Sequence, residues 1–204
     1  MTIREELIAF AHNIDRLSAG YESWGQVDIQ RIAVRHSSGI YITARGAQLT
    51  ALRDTDVQAL GLMEEEKLIA AIFKMRKGVD CIFITHQRYG SEIREEIPPI
   101  LDDQAQLLGV SVRVAEVGDS AKALTRVLKA LQSRYAAVCS DGRCLCIGAT
   151  LDDTFIAAQL LEKTAKAYTE AKYLGGAKPI NRLEAWFMQQ YYQLKYAKEA
   201  KKNR

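Results

Sequence analysis

Val79-Asp80-Cys81-Ile82-Phe83-Ile84-Thr85-His86 is the stretch on which the fold turns. Cys81 to Ile84 are apolar at consecutive positions, so both faces of this segment seek burial. That is the pattern of a central strand. Gly78 precedes it and stops a helix. The helix runs from about Met63 to Lys77, with Leu68, Ile69, Ile72 and Phe73 as its buried stripe. A helix that feeds a fully buried strand is the mark of an α/β domain. The strand ends in a single histidine, His86, and strand ends in such domains are where sites gather.

Upstream, Thr2 and Glu5 form a capping box for a first helix, in which Ile3, Leu7, Ala11, Ile14 and Leu17 recur at helical spacing. Residues 27–34 and 40–43 read as two strands around the turn His36-Ser37-Ser38-Gly39. Downstream, Pro98-Pro99 opens a connection, Asp102 to Leu108 reads as a short helix, and Val110 to Val114 as a strand. Ser120 to Leu131 is helical, with Leu124, Val127, Leu128 and Leu131 on one side. Tyr135 to Ser140 and Arg143 to Ile147 form a hairpin across Asp141-Gly142, a favoured two-residue turn. Thr150 and Asp153 cap a long helix to Leu174, which Gly175-Gly176 ends. A last amphipathic helix carries Trp186, Tyr191, Tyr192 and Tyr196.

The chain has 204 residues, 48% of them hydrophobic, which suits one domain with a full core. A formal net charge of +3, from 28 basic and 25 acidic residues, gives no footprint for nucleic acid. The basic excess gathers in Lys195, Lys198, Lys201, Lys202 and Arg204, where it complements the negative end of a helix dipole. No apolar stretch approaches a membrane span. The opening Met-Thr-Ile-Arg-Glu-Glu carries acids where a signal peptide has a basic region, so the expected location is cytoplasmic. Cys81, Cys139, Cys144 and Cys146 are then expected as free thiols.

Several segments, in order, resemble the class II aldolase/adducin family, which includes L-fuculose-1-phosphate aldolase and L-ribulose-5-phosphate 4-epimerase. Ser23-Trp24-Gly25-Gln26 is similar to the family's Ser-x-Gly-Asn loop, and Ile42-Thr43-Ala44-Arg45-Gly46 to its Ile-Thr-Pro-Ser/Thr-Gly. Leu52 and Asp56 fit the Leu-x3-Asp that follows. Residues 65–86 resemble the Glu-x3-His helix and the His-x-His strand. Ile97-Pro98-Pro99-Ile100 matches the next connection. Gly148 and Leu151 to Leu161 match the Gly-x-Thr-Leu-x-x-Ala helix.

The resemblance implies a three-layer α/β/α sandwich with a central mixed, mainly antiparallel sheet. It implies one domain over residues 1–204, with 177–204 as a C-terminal helical tail, and a homo-oligomer, specifically a tetramer. In the family three histidines hold zinc and a glutamate moves the proton in carbon–carbon cleavage. The glutamate falls on Glu65. The paired histidines fall on Ile84 and His86, and the third histidine falls on Asp141. Two of the three histidine ligands are therefore absent, and an aliphatic side chain such as Ile84 has no lone pair for a metal. The phosphate loops fall on Gly25-Gln26 and Arg45-Gly46, while the family's Ser-Ser pair falls on Met63-Glu64.

Each position has two readings. Acids at a helix start are favoured by the dipole alone, by roughly 0.3–1 kcal/mol each, which accounts for Glu65 without chemistry. Asp141 suits a tight turn as readily as a metal. His86 is either a hydrogen-bonded structural residue or a site residue. Glu65, His86 and Asp141 together would form a hard set that favours manganese, magnesium or iron over zinc. Arg45 is either a solvated turn residue or a fork for phosphate oxygens. Cys144-x-Cys146 reads as small buried strand residues.

The expected function follows. The chain is a divergent family member without the three-histidine zinc site. It acts as a binder of a sugar-phosphate-like ligand or as an assembly partner, with no tightly bound cofactor. The alternative is a metal-dependent aldolase or epimerase on a phosphorylated sugar, with a rearranged metal site. Neither nucleic acid nor a membrane is an expected partner.

Overall fold

The computed structural model describes residues 2–118 and 120–202, with the backbone alone from 196 onward. Seven strands form one sheet in the order β3-β2-β1-β4-β7-β6-β5. They are β1 (Val27–His36), β2 (Gly39–Thr43), β3 (Val57–Ala59), β4 (Cys81–Gln87), β5 (Arg113–Ala115), β6 (Ala136–Cys139) and β7 (Cys144–Gly148). All neighbours are antiparallel except β5 and β6. This is the expected mixed, mainly antiparallel sheet. The quoted stretch is its centre: Cys81 to Thr85 are buried at every position, between β1 and β7.

Apolar side chains cover both faces of the sheet, so there are two cores. On one face α1 (Ile3–His12) and α5 (Leu151–Tyr173) bring Leu7, Ala11, Phe155 and Leu161 against Phe83, Val138 and Cys146. On the other, α3 (Glu64–Met75) and α4 (Ala121–Ala130) bring Ile69, Ile72, Phe73 and Val127 against Ile82, Ile84 and Leu145. Strand alternation sorts β4 between them, Phe83 to the first core and Ile82 and Ile84 to the second.

Local signals match the structure where side-chain chemistry backs them. Thr2 and Glu5 close the capping box, and the Thr150 hydroxyl accepts from the Asp153 N–H at 3.0 Å. The first helical run is interrupted. Asn13 ends α1 and opens the short α2 (Ile14–Ser18), because its amide donates back to the Ala9 carbonyl at 2.7 Å. The expected helix at Asp102 to Leu108 is mostly a π-type turn, Gln104–Leu108, closed by Gly109 at φ +111°. The strand after it is shorter and later than its apolar run suggests, since Val112 makes only an isolated bridge to Ile97. α6 (Arg182–Lys202) lies against that π-type turn. Tyr196 and the charges beyond it fall outside the described side chains.

Candidate functional site

A β-bulge decides what faces the cleft. Along β1 the register to β4 runs Val27 with Gln87, Asp28 with His86 and Ile29 with Thr85, then skips Gln30 and resumes as Arg31 with Ile84. Cross-strand partners share a face. The extra residue therefore turns Arg31 onto the face of Ile84, instead of opposite Phe83 in the first core. A buried arginine needs partners. Arg31 Nε donates to the Thr43 carbonyl at 3.0 Å, Nη1 bonds the Glu65 carboxylate, and Nη2 lies 3.7 Å from Glu66 Oε1.

Glu65 enters from the first turn of α3, with its side chain only 7% exposed. Arg31 takes Oε1. Arg45 Nη2 at 3.2 Å and Arg143 Nη1 at 3.1 Å share Oε2. Three guanidiniums from β1, the loop after β2, and the β6–β7 turn thus close on one carboxylate. Arg143 is itself held by Asp141, Nε to Oδ2 at 2.7 Å. Burial works against the Arg143 charge, but the Asp141 hydrogen bond and the charges of Asp141 and Glu65 outweigh it, so its pKa is raised.

Above this cluster lies a cleft of about 1010 Å³. Arg31, Arg45, Gly46, Glu65, Ile84, Asp141 and Arg143 line it, with Gly118, Ser120 and Ala121 at the start of α4. Gly46 has φ +71°, a left-handed turn that favours glycine, and a Cβ there would meet open space. Gly25 and Gln26 line an adjoining hollow of about 520 Å³, which meets the cleft at Asp28, Ile29 and Ala47.

A buried carboxylate positions the Gly25-Gln26 loop. Glu162 of α5 accepts the N–H groups of Gln26 at 3.2 Å, Tyr89 at 3.0 Å and Gly90 at 2.9 Å. A Cβ on Gly25 would come within 2.4 Å of Glu162 Oε1, and φ there is +141°. Glycine is required on both counts.

The sequence-derived candidates divide. Glu65, Arg45, Gly46 and Asp141 meet in one cleft. His86 is exposed and is not among its lining residues. Among the described residues, no three His, Cys, Asp or Glu side chains converge as metal ligands. The cysteines are free and buried. Burial pushes the thiols of Cys81, Cys139 and Cys144 up to about 12, and that of Cys146 well above its ordinary value. Arg31 and Arg143 were the residues sequence reasoning missed. The signal for Arg31 was a charge inside the apolar strand Arg31-Ile32-Ala33-Val34.

These residues do not fit the family's zinc. Ile84 offers no donor, Asp141 is engaged by Arg143, and both Glu65 oxygens face guanidiniums. The guanidiniums oppose a dication and the carboxylates of the lining, Asp28, Glu64, Glu65 and Asp141, attract one, so the misfit lies in the missing donor at Ile84 and in the engagement of Glu65 and Asp141 by arginines.

Comparison with known proteins agrees with this geometry at the level of fold. The class II aldolase and adducin N-terminal domain family matches residues 5–169. An L-fuculose 1-phosphate aldolase superposes with TM-score 0.77 at 20% identity, over 94% of this chain and 96% of its own. The L-fuculose-1-phosphate aldolase from Thermus thermophilus gives 0.67 at 21%, over 87% and 100%. That from Glaciozyma antarctica gives 0.65 at 20%, over 93% and 80%. None of the curated proteins matches the chain.

Proposed function

Because this chain belongs to the class II aldolase and adducin N-terminal domain family, we propose that it binds a sugar-phosphate-like anion in the family's cleft without the family's zinc chemistry. One observation carries the reading: Glu65, at the position of the family's proton-moving glutamate, has both oxygens committed to Arg31, Arg45 and Arg143. A carboxylate so engaged has no free oxygen for a substrate proton. Arg45 is 57% exposed, so it can turn from Glu65 toward a ligand oxyanion while Arg31 keeps Oε1 and Arg143 keeps Oε2. Residues at the start of α4 line the same space, and a helix N-terminus favours an anion. Glu64, at a former serine position, opposes it.

The phosphate group belongs between Gly25-Gln26 and Arg45-Gly46, where glycine lets the backbone approach closely. A cytoplasmic homotetramer is the proposed working form, with residues 177–204 as a helical tail to a single domain. The competing reading is a lyase or epimerase with a rearranged metal at Glu65, His86 and Asp141. It draws support from Glu65 and Asp141 lining one cleft.

The test is calorimetric titration with inorganic phosphate and dihydroxyacetone phosphate. Expected is weak, salt-sensitive binding that Arg45→Ala weakens and Glu64→Ser strengthens. Binding unchanged in both variants would remove this pocket. Turnover of fuculose, rhamnulose or ribulose phosphates, abolished by Glu65→Gln, would favour the lyase.

A further inference from the structure

Arg31 and Ile84 face each other across β1 and β4, and Ile84 stands where the first zinc histidine of the family would be. The Arg31 side chain is only 6% exposed, and it is fixed by the Thr43 carbonyl and the Glu65 carboxylate. It reaches this face only because of the bulge at Gln30. The position that the resemblance assigns to a zinc histidine and the arginine are therefore cross-strand partners. We propose that Arg31 is a built-in cation in place of a metal ion. It is the counter-charge of Glu65 and, with Arg45 and Arg143, it bars divalent metals and leaves the cleft an arginine-lined anion receptor.

The physical chemistry supports a substitution rather than a vacancy. A carboxylate at 7% exposure needs a positive partner, whether ion or side chain. A guanidinium is always charged, planar and weakly hydrated, so it suits a buried pair better than lysine does. Restoring histidines alone should then fail to restore a metal site.

The experiment is calorimetric titration with zinc chloride on four proteins: the parent, Ile84→His with Asp141→His, and that double variant with Arg31→Gln or with Arg31→Lys. Arg31→Gln retains a hydrogen-bond donor for Glu65 and removes the charge, while Arg31→Lys retains the charge. Expected is no measurable zinc binding by the parent, the double variant or the lysine triple variant. The glutamine triple variant should bind zinc at least about tenfold more tightly than the weakest affinity the titration detects, a step of at least about 1.4 kcal/mol. Equal binding by the double and glutamine triple variants would overturn the proposal. So would a folded glutamine triple variant that binds no zinc. If circular dichroism shows that the triple variants do not fold, the double variant decides: one zinc per chain overturns the proposal, and none supports it. The anion-receptor clause rests on the ligand-binding reading above, but the zinc titrations do not. Failure of phosphate binding would therefore count against that reading alone.

Discussion

Replacing Glu162 with glutamine should loosen the loop that carries Gly25 and Gln26 without altering any residue of the arginine cluster. The Glu162 carboxylate accepts four N–H contacts: Gln26 and Tyr89 on Oε1, Tyr89 and Gly90 on Oε2. An amide keeps one oxygen and turns an NH2 toward backbone donors. Because the Tyr89 N–H reaches both oxygens, one N–H, that of Gln26 or of Gly90, is left without its acceptor. A stranded buried donor costs about 1–3 kcal/mol. The stronger charge-assisted figure does not apply, because burial of the carboxylate offsets it. That burial pushes the Glu162 pKa up, against the pull of the Gly90, Tyr89 and Gln26 N–H groups. A raised pKa means that the folded state holds the proton more tightly than the unfolded state. That contribution is full below the ordinary carboxylate range and is lost as pH rises through the folded value. For a chain of this size the midpoint should fall by about 2–12 °C. The parent's advantage over the variant should shrink as pH rises from acid toward neutral. Thermal melts by circular dichroism across that range are the assay. A midpoint within about 2 °C of the parent at every pH, or an advantage that grows with pH, would refute the reasoning.

Phe83→Ala should cost about 3–5 kcal/mol in denaturant melts, since Phe83 is fully buried and packs 5.7 Å from Phe10. The four thiols should resist dithiobisnitrobenzoate in the native protein and react only on unfolding, because burial keeps them protonated and covered. Rapid native labelling would contradict this. Trp186, Phe187, Tyr191 and Leu194 leave an exposed apolar face on α6. Light scattering should therefore give a homo-oligomer at micromolar concentration, and Trp186→Glu with Tyr191→Glu should shift the mass downward. A monomeric parent would contradict this.

The sheet was legible because its centre is written in consecutive apolar residues. Cys81 to Ile84 have no polar face to give water, and Asp141-Gly142 marked the hairpin beside them, although the register closes it at Cys139 and Arg143 as a three-residue loop, 140–142, and not as the expected two-residue turn. Helix starts were legible where a hydroxyl caps them, as at Thr2 and Thr150. The break at Asn13 was hidden, since a side-chain-to-backbone bond inside an apolar period leaves the period intact. β3 was missed because three residues, two of them exposed, carry no pattern. At the site, the sequence pointed to Glu65, Arg45 and Asp141 through their positions in the family's motifs. It grouped Glu65 with Asp141 but did not reveal the guanidiniums that hold them. Arg31 joins them through the bulge at Gln30, which reverses its face without any glycine or proline to mark it. The polar segment Gln30-Arg31 within an otherwise apolar strand was the available clue. His86 is exposed near the end of β4, one residue before Gln87 closes it and two beyond Ile84, the β4 residue that lines the cleft.

The central claim is that a guanidinium stands in place of a metal beside Glu65. The most direct measurement is a crystal structure of the protein grown with zinc and phosphate, with anomalous data at the zinc edge. The expected result is the Arg31 guanidinium on Glu65, with no anomalous peak in the cleft. A zinc peak bound by Glu65 or Asp141, with Arg31 displaced, would contradict it.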